Sequence, residues 1–215
     1  MTLDQAIPLL GALLLCLLIP ILIRKRAYRS FPIFFIYQIW CLSSTLSGTL
    51  AASLSQMDYV HYYVLNMTVD ALFQFAVLVG LGVTVAQHNR NRSPRWFLIV
   101  LLTLPAVLLL RSFSDWSLPS DLTEFGIFYV RMQQTLPVLL LAFLLALVWW
   151  SRLRRLHWPD SALHIASGLG FYFLVCLLVA VLHTHQTPGV EYHWADQAQS
   201  GSYLGVLAYW LLKLS

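Results

Sequence analysis

Seven apolar runs cross this chain, and the gaps between them alternate in charge. The runs are 6–23, 31–54, 59–86, 96–110, 123–150, 161–183 and 195–214. A helix needs about 20 mainly apolar residues to cross a hydrocarbon core. Eleven of the thirteen Lys and Arg fall in alternate gaps: Arg24, Lys25, Arg26, Arg29, Arg90, Arg92, Arg95, Arg152, Arg154, Arg155 and Lys213. Seven of the nine acids fall in the others: Asp4, Asp58, Asp115, Asp121, Glu124, Glu191 and Asp196. Basic residues collect on the cytoplasmic side of polytopic proteins. The expectation is an all-α integral membrane protein, a single seven-transmembrane-helix bundle over residues 1–215, with its N-terminus outside and its C-terminus cytoplasmic.

Composition agrees. Hydrophobic residues make up 59% of the chain and charged residues 10%, against about 25% charged in a soluble domain. The loops are too short to hold a catalytic domain. The net charge of +4 is accounted for by residues expected beside lipid headgroups, so no nucleic-acid partner is expected. Cys16, Cys41 and Cys176 lie inside apolar runs, form no C-x-x-C pair and read as small apolar fillers. The first run is followed by basic residues and not preceded by them, the reverse of a signal peptide, so it is expected to be a retained span. The short loops suit a bacterial inner membrane. Two spans are weaker: 96–110 is short, and Gln197, Gln199 and Ser200 make the start of the seventh polar.

Aromatic residues mark the expected interfaces, with Phe31, Trp96, Trp149, Trp150 and Trp158 on the inner side and Tyr59, Tyr62, Trp116, Tyr192 and Trp194 on the outer. Pro105 and Pro137 fall mid-span and are expected to kink their helices. Small residues four apart, Ser43/Ser47, Ser44/Gly48, Gly48/Ala52 and Gly201/Gly205, are expected to let helices approach closely within the bundle, or at a dimer face. A short internal echo is also present. Arg24-Lys25-Arg26 precedes Phe31-Pro32, and Arg152 to Arg155 precedes Trp158-Pro159. A three-plus-one-plus-three parallel repeat, as some transporters use, would produce this echo. So would basic flanks followed by Pro at a helix start.

The exceptions to the charge sorting carry most of the chemistry. Asp70 lies near the middle of the third span, where a charged side chain is costly and reads first as a functional residue with a partner. Asn66 and Gln74 lie one turn to either side of it, on the same helical face. Arg131 on the fifth span is the expected charged partner, with Gln133 and Gln134 beside it. A buried ion pair joining the two helices and a ligand or proton site are both open readings. His61, His183, His185 and His193, with Asp58 and Glu191, gather near the outer face. Imidazole and carboxylate suit zinc, but the spacing is loose and no H-E-x-x-H is present. A hydrated polar loop is favoured over a metal. Haem would need facing ligands at matched depth, which only His61 and His183 could offer. His164 and His157 read as packed or interfacial. No metal, haem or other cofactor is expected.

The basic cluster followed by Tyr28 and then Phe31-Pro32-x-Phe34-x-x-Tyr37 resembles small bacterial seven-transmembrane proteins. It is broadly similar to the seven-helix sensory regions that precede bacterial histidine kinases, and the likeness covers roughly the first three spans. It implies a receptor-like bundle and transfers no binding residue. The chain carries no kinase output domain. The seven-span arrangement also looks like microbial rhodopsins, but the lysine of the last span, Lys213, sits at its inner end and not at its middle, so retinal is not expected. The leading expectation is a non-enzymatic sensor module or accessory subunit in the cell membrane, contacting another membrane or cytoplasmic protein through its basic inner loops. A small-solute transporter is the second reading and a membrane-embedded metal-dependent enzyme the third.

Overall fold

The computed structural model describes residues 3–51, 55–89, 122–184 and 193–214, with the backbone alone for 3–5, 49–51, 57, 122–131, 133, 183–184, 193 and 196. Seven helices are described: α1 (Leu3–Arg24), α2 (Ala27–Ser30), α3 (Pro32–Ala51), α4 (Gln56–His88), α5 (Leu122–Leu153), α6 (Asp160–Thr184) and α7 (His193–Leu214). Among the described residues four segments are long and apolar enough to cross a membrane: Ala6–Arg24, Asp58–His88, Gln134–Leu153 and Asp160–Leu182. Their outer faces carry exposed Leu9, Leu13, Leu72, Leu145, Phe171 and Leu178. Such a surface belongs in lipid, where only internally hydrogen-bonded backbones are stable. The protein is an all-α, multi-pass membrane protein. The expected span at 96–110 lies outside the described residues.

Local chemistry sets the helix ends. Ser55 caps α4: its hydroxyl oxygen accepts from the Asp58 N–H at 3.3 Å, and its O–H donates to the Asp58 carboxylate at 2.6 Å. This is a serine N-cap, and the Asp58 carboxylate in the first turn also faces the positive end of the helix dipole. Pro32 opens α3, where its missing N–H costs nothing. The turns after α1 and α5 use the same device. Arg26 (φ 55°) and Arg155 (φ 51°) take left-handed conformations, which reverse the chain at the cost of placing a Cβ where glycine is favoured.

The six long helices close a ring, each touching its neighbours in the order α1, α3, α4, α5, α6, α7 and back to α1. Contacts fix the directions. Ile33 packs on Gly80, the Trp40 and Phe73 rings are 5.7 Å apart, and Ser44 bonds Asn66, so α3 and α4 are antiparallel. Phe75 meets Phe143 and Gly82 meets Leu147, so α4 and α5 are parallel. The Asn89 amide then clamps the next turn. Its Nδ2 donates to the His157 carbonyl at 2.8 Å, and its Oδ1 accepts from the His157 N–H at 3.1 Å. The chain therefore leaves α4 at one end of the bundle and enters α5 at the other. His164 shares a 2.8 Å hydrogen bond with Tyr209, setting α6 antiparallel to α7. Exposed Arg24, Lys25, Arg26, Arg29, Arg152, Arg154, Arg155 and Lys213 consequently share the end of the bundle that bears Asn89.

That end holds the apolar core, with a smaller pocket of about 290 Å³ between α3 and α4 beside Phe31, Phe34, Val77 and Leu81. Leu15, Leu18 and Leu22 of α1 recur at helical spacing and meet Phe34, Leu78, Leu81, Leu147, Leu169 and Leu207 in one apolar cluster. Trp210 is the keystone of the α6–α7 contact. Its indole N–H donates to the His164 carbonyl at 3.1 Å, and its ring meets Phe34 edge-on with centroids 4.9 Å apart. Two expectations change here. Phe31 and Trp150 belong to this core, at 7% and 4% exposure, and not to the interface. Adjacent helical positions point about 100° apart, so of the Trp149–Trp150 pair only Trp149, 68% exposed, faces outward. The close approaches also lie elsewhere than expected. A Cβ at Gly48, Gly201 or Gly205 meets nothing within 4 Å, whereas one at Gly168 would lie 2.5 Å from Trp210 Nε1 and one at Gly170 3.0 Å from Leu144. Ser44 and Ser47 serve the α3–α4 contact by hydrogen bonding instead, to Asn66 at 2.8 Å and to the Tyr62 hydroxyl at 2.6 Å.

Gly168→Ala should therefore cost about 1–3 kcal/mol by displacing Trp210, read as a lower thermal midpoint in detergent. Gly205→Ala should leave that midpoint unchanged or slightly raised. Equal effects would contradict the packing described.

Candidate functional site

The opposite half of the bundle is hollow. A cavity of about 710 Å³ lies among the six long helices, within the roughly 300–1,000 Å³ usual for small-molecule sites. Ile7, Pro8 and Gly11 of α1, Ser44, Thr45 and Gly48 of α3, and Gln199, Ser200, Tyr203 and Leu204 of α7 line three sides. All of them precede the apolar core of α1 and α7, or follow it on α3. Two prolines, Pro8 and Pro137, sit inside helices and on the cavity wall. Each removes a backbone hydrogen bond and crowds the preceding turn, which a helix facing solid packing tolerates poorly.

Asp70 stands where the hollow half meets the packed half. Its carboxylate Oδ2 accepts a hydrogen bond from Gln74 Nε2 at 2.6 Å, one turn further along α4. Gln74 Nε2 also donates to the Tyr37 hydroxyl at 3.3 Å, and Tyr37 is within reach of the same carboxylate. Asp70 and Gln74 line the cavity, while Tyr37 is buried behind them at 3% exposure. The three form one polar group shared by α3 and α4. Across the ring, the Tyr172 and Tyr203 rings pack 5.7 Å apart. Tyr203 stands beside Cys41, and Tyr172 beside Cys176 and Gln199. The Tyr203 hydroxyl is buried with no partner at hydrogen-bond geometry among the described residues.

The expected site residues separate. Asp70 and Gln74 come together in the cavity. Asn66 shares their face of α4 but spends its amide oxygen on Ser44 and does not line the cavity. Gln134 is half-buried on α5 and off the lining. The side chains of Arg131 and Gln133 lie outside the described residues, so the ion pair with Asp70 is not among the contacts described. His61 is half-buried near the start of α4. The side chains of His183 and His193, and His185 altogether, lie outside the described residues. Among the described residues no three His, Cys, Asp or Glu gather as a metal site. His164 belongs to a separate cluster with Tyr209 and Ser167 at the packed end.

Sequence reasoning missed Tyr37, Tyr172 and Tyr203. It noticed Gln199 and Ser200 only as a weakness in the seventh span, and that polar turn is cavity wall. A polar turn opening an otherwise apolar run was the signal to follow.

No known protein family, characterised protein or solved structure matches the chain. Its reading rests on the geometry of the bundle.

Gln74→Leu should destabilise the protein by roughly 1–3 kcal/mol, because it leaves the Asp70 carboxylate without its closest donor. Adding Asp70→Asn should recover part of that loss in a double-mutant cycle. Simple additivity would show that the two side chains act independently.

Proposed function

We propose that the protein is a receptor-like membrane sensor that binds a small ligand beside Asp70, in a seven-span bundle with its N-terminus outside the cell membrane. One observation carries this reading: the 710 Å³ cavity among the six long helices lies in the half of the bundle away from the basic end, with a carboxylate at its floor and the leucines and Trp210 of the apolar core beneath it. A one-sided pocket suits recognition from the side to which it belongs. Span 96–110 would be the return crossing in this reading, and the parallel course of α4 and α5 supports it. The basic end is then cytoplasmic, and its exposed arginines would meet anionic headgroups and the partner protein that carries the signal onward. The likeness of the Tyr28 to Tyr37 region to bacterial sensory regions points the same way.

A second reading, a small-solute transporter, has its own support. The ring order α1, α3, α4 is repeated by α5, α6, α7 with the same helix directions. The basic turns after α1 and α5 share a left-handed arginine. That is the layout of a parallel three-helix repeat. The packed lower half weighs against it, since transport needs the core around Phe34 and Trp210 to open.

The test is an experimental structure of the protein purified in a mild detergent. The sensor reading expects density beside Asp70 and an apolar lower half that stays closed with or without it. A filled, dry interior would contradict both readings, and a partner subunit covering a flank of a cavity-free bundle would establish an accessory role instead.

A further inference from the structure

The cavity has a definite chemical polarity, and it narrows the class of ligand. Asp70 is the one formally charged residue in its described lining. The carboxylate is held on one side, where Oδ2 takes the Gln74 amide. Most of the remaining wall is apolar or aromatic, with Met132, Leu136 and Phe173 on α5 and α6 and Tyr63, Tyr172 and Tyr203 around the ring. A carboxylate in such surroundings interacts strongly with a cation, because little water screens the pair. Aromatic faces add attraction for the same charge. The Tyr203 hydroxyl, buried beside Cys41, is a second polar group on the wall. An anionic ligand would meet repulsion at the floor, and a neutral one would gain nothing from the charge of the carboxylate.

We infer that the ligand is a small organic amine bound as its cation, with the protonated nitrogen on the Asp70 carboxylate, an apolar body against Met132, Leu136 and Phe173, and the Tyr172–Tyr203 pair as an aromatic wall. This rests on the sensor reading above and adds the chemistry of what is sensed. The amine donates to the carboxylate through charge-assisted hydrogen bonds, which are stronger than neutral ones. Gln74 and Tyr37 orient the carboxylate toward the cavity, and they are positioning residues.

Three probes that share a phenethyl group and differ in its polar end test this on the full-length protein in detergent: phenethylamine, 2-phenylethanol and 3-phenylpropionate. Thermal unfolding should rise by roughly 2–4 °C with saturating phenethylamine, and not with the alcohol or the acid. Asp70→Asn should abolish the rise. Tyr203→Phe, which keeps the ring and removes the hydroxyl, should keep it but move its midpoint to higher amine concentration. A rise of equal size with the alcohol or the acid, lost when Ala71→Phe fills the cavity, would overturn the amine assignment and leave the sensor reading standing. A phenethylamine rise that survives Asp70→Asn would also overturn the assignment. No response to any of the three would count against both.

Discussion

The polar cluster of Asp70, Gln74 and Tyr37 is the constraint that joins α3 to α4 inside the bundle. Inside a bilayer a polar group has no water to turn to, and an ionisable one is costly unless the protein supplies partners. Gln74 and Tyr37 supply them from two adjacent helices. The arrangement ties α3 to α4, and the Ser44–Asn66 and Ser47–Tyr62 bonds continue the tie toward the hollow end. With that pair of helices fixed, the other four close the ring against them. The carboxylate ends up at the boundary between hollow and solid halves, where a ligand could reach it.

The two halves are built from different residues for physical reasons. In the packed half the walls are leucines and aromatics at helical spacing, and the glycines are where helices need to come close. Gly168 makes room for the Trp210 indole, and Gly170 for Leu144. In the hollow half the glycines at 11 and 48, the prolines at 8 and 137 and the serines at 44 and 200 line the cavity with little side-chain bulk. Small residues there widen the interior.

Much of the architecture was legible in the sequence. Runs of apolar residues about 20 long must be helices in lipid, and Asp70 stood out because nothing else so polar lies so deep in a described span. The face it shares with Gln74 follows from helical periodicity. What could not be read was which aromatic residues point inward. In lipid both faces of a helix are apolar, so the pattern that separates core from surface in water is weak. Trp149 and Trp150 look alike in sequence, yet one is exposed and the other buried. For the same reason Tyr172 and Tyr203 gave no sign of facing a cavity, nor Tyr37 of standing behind it, and Asn66, on the Asp70 face, serves Ser44. The Gly201/Gly205 pair has the spacing of a packing motif and no neighbour within 4 Å of an added Cβ, because spacing alone does not say which way a stripe faces.

The central claim is a water-accessible, one-sided cavity ending at Asp70. It is tested most directly by cysteine accessibility in sealed membrane vesicles of known orientation, with Cys16, Cys41 and Cys176 replaced by Ala. Single cysteines at Thr45 and Ser200, on the cavity wall, should react with a membrane-impermeant maleimide added on the N-terminal side of the bundle and not with reagent on the other side. Cysteines at Leu78 and Leu207, in the packed half, should react from neither. Unreactive wall positions, or equal labelling of Thr45→Cys and Ser200→Cys from both sides, would contradict the account.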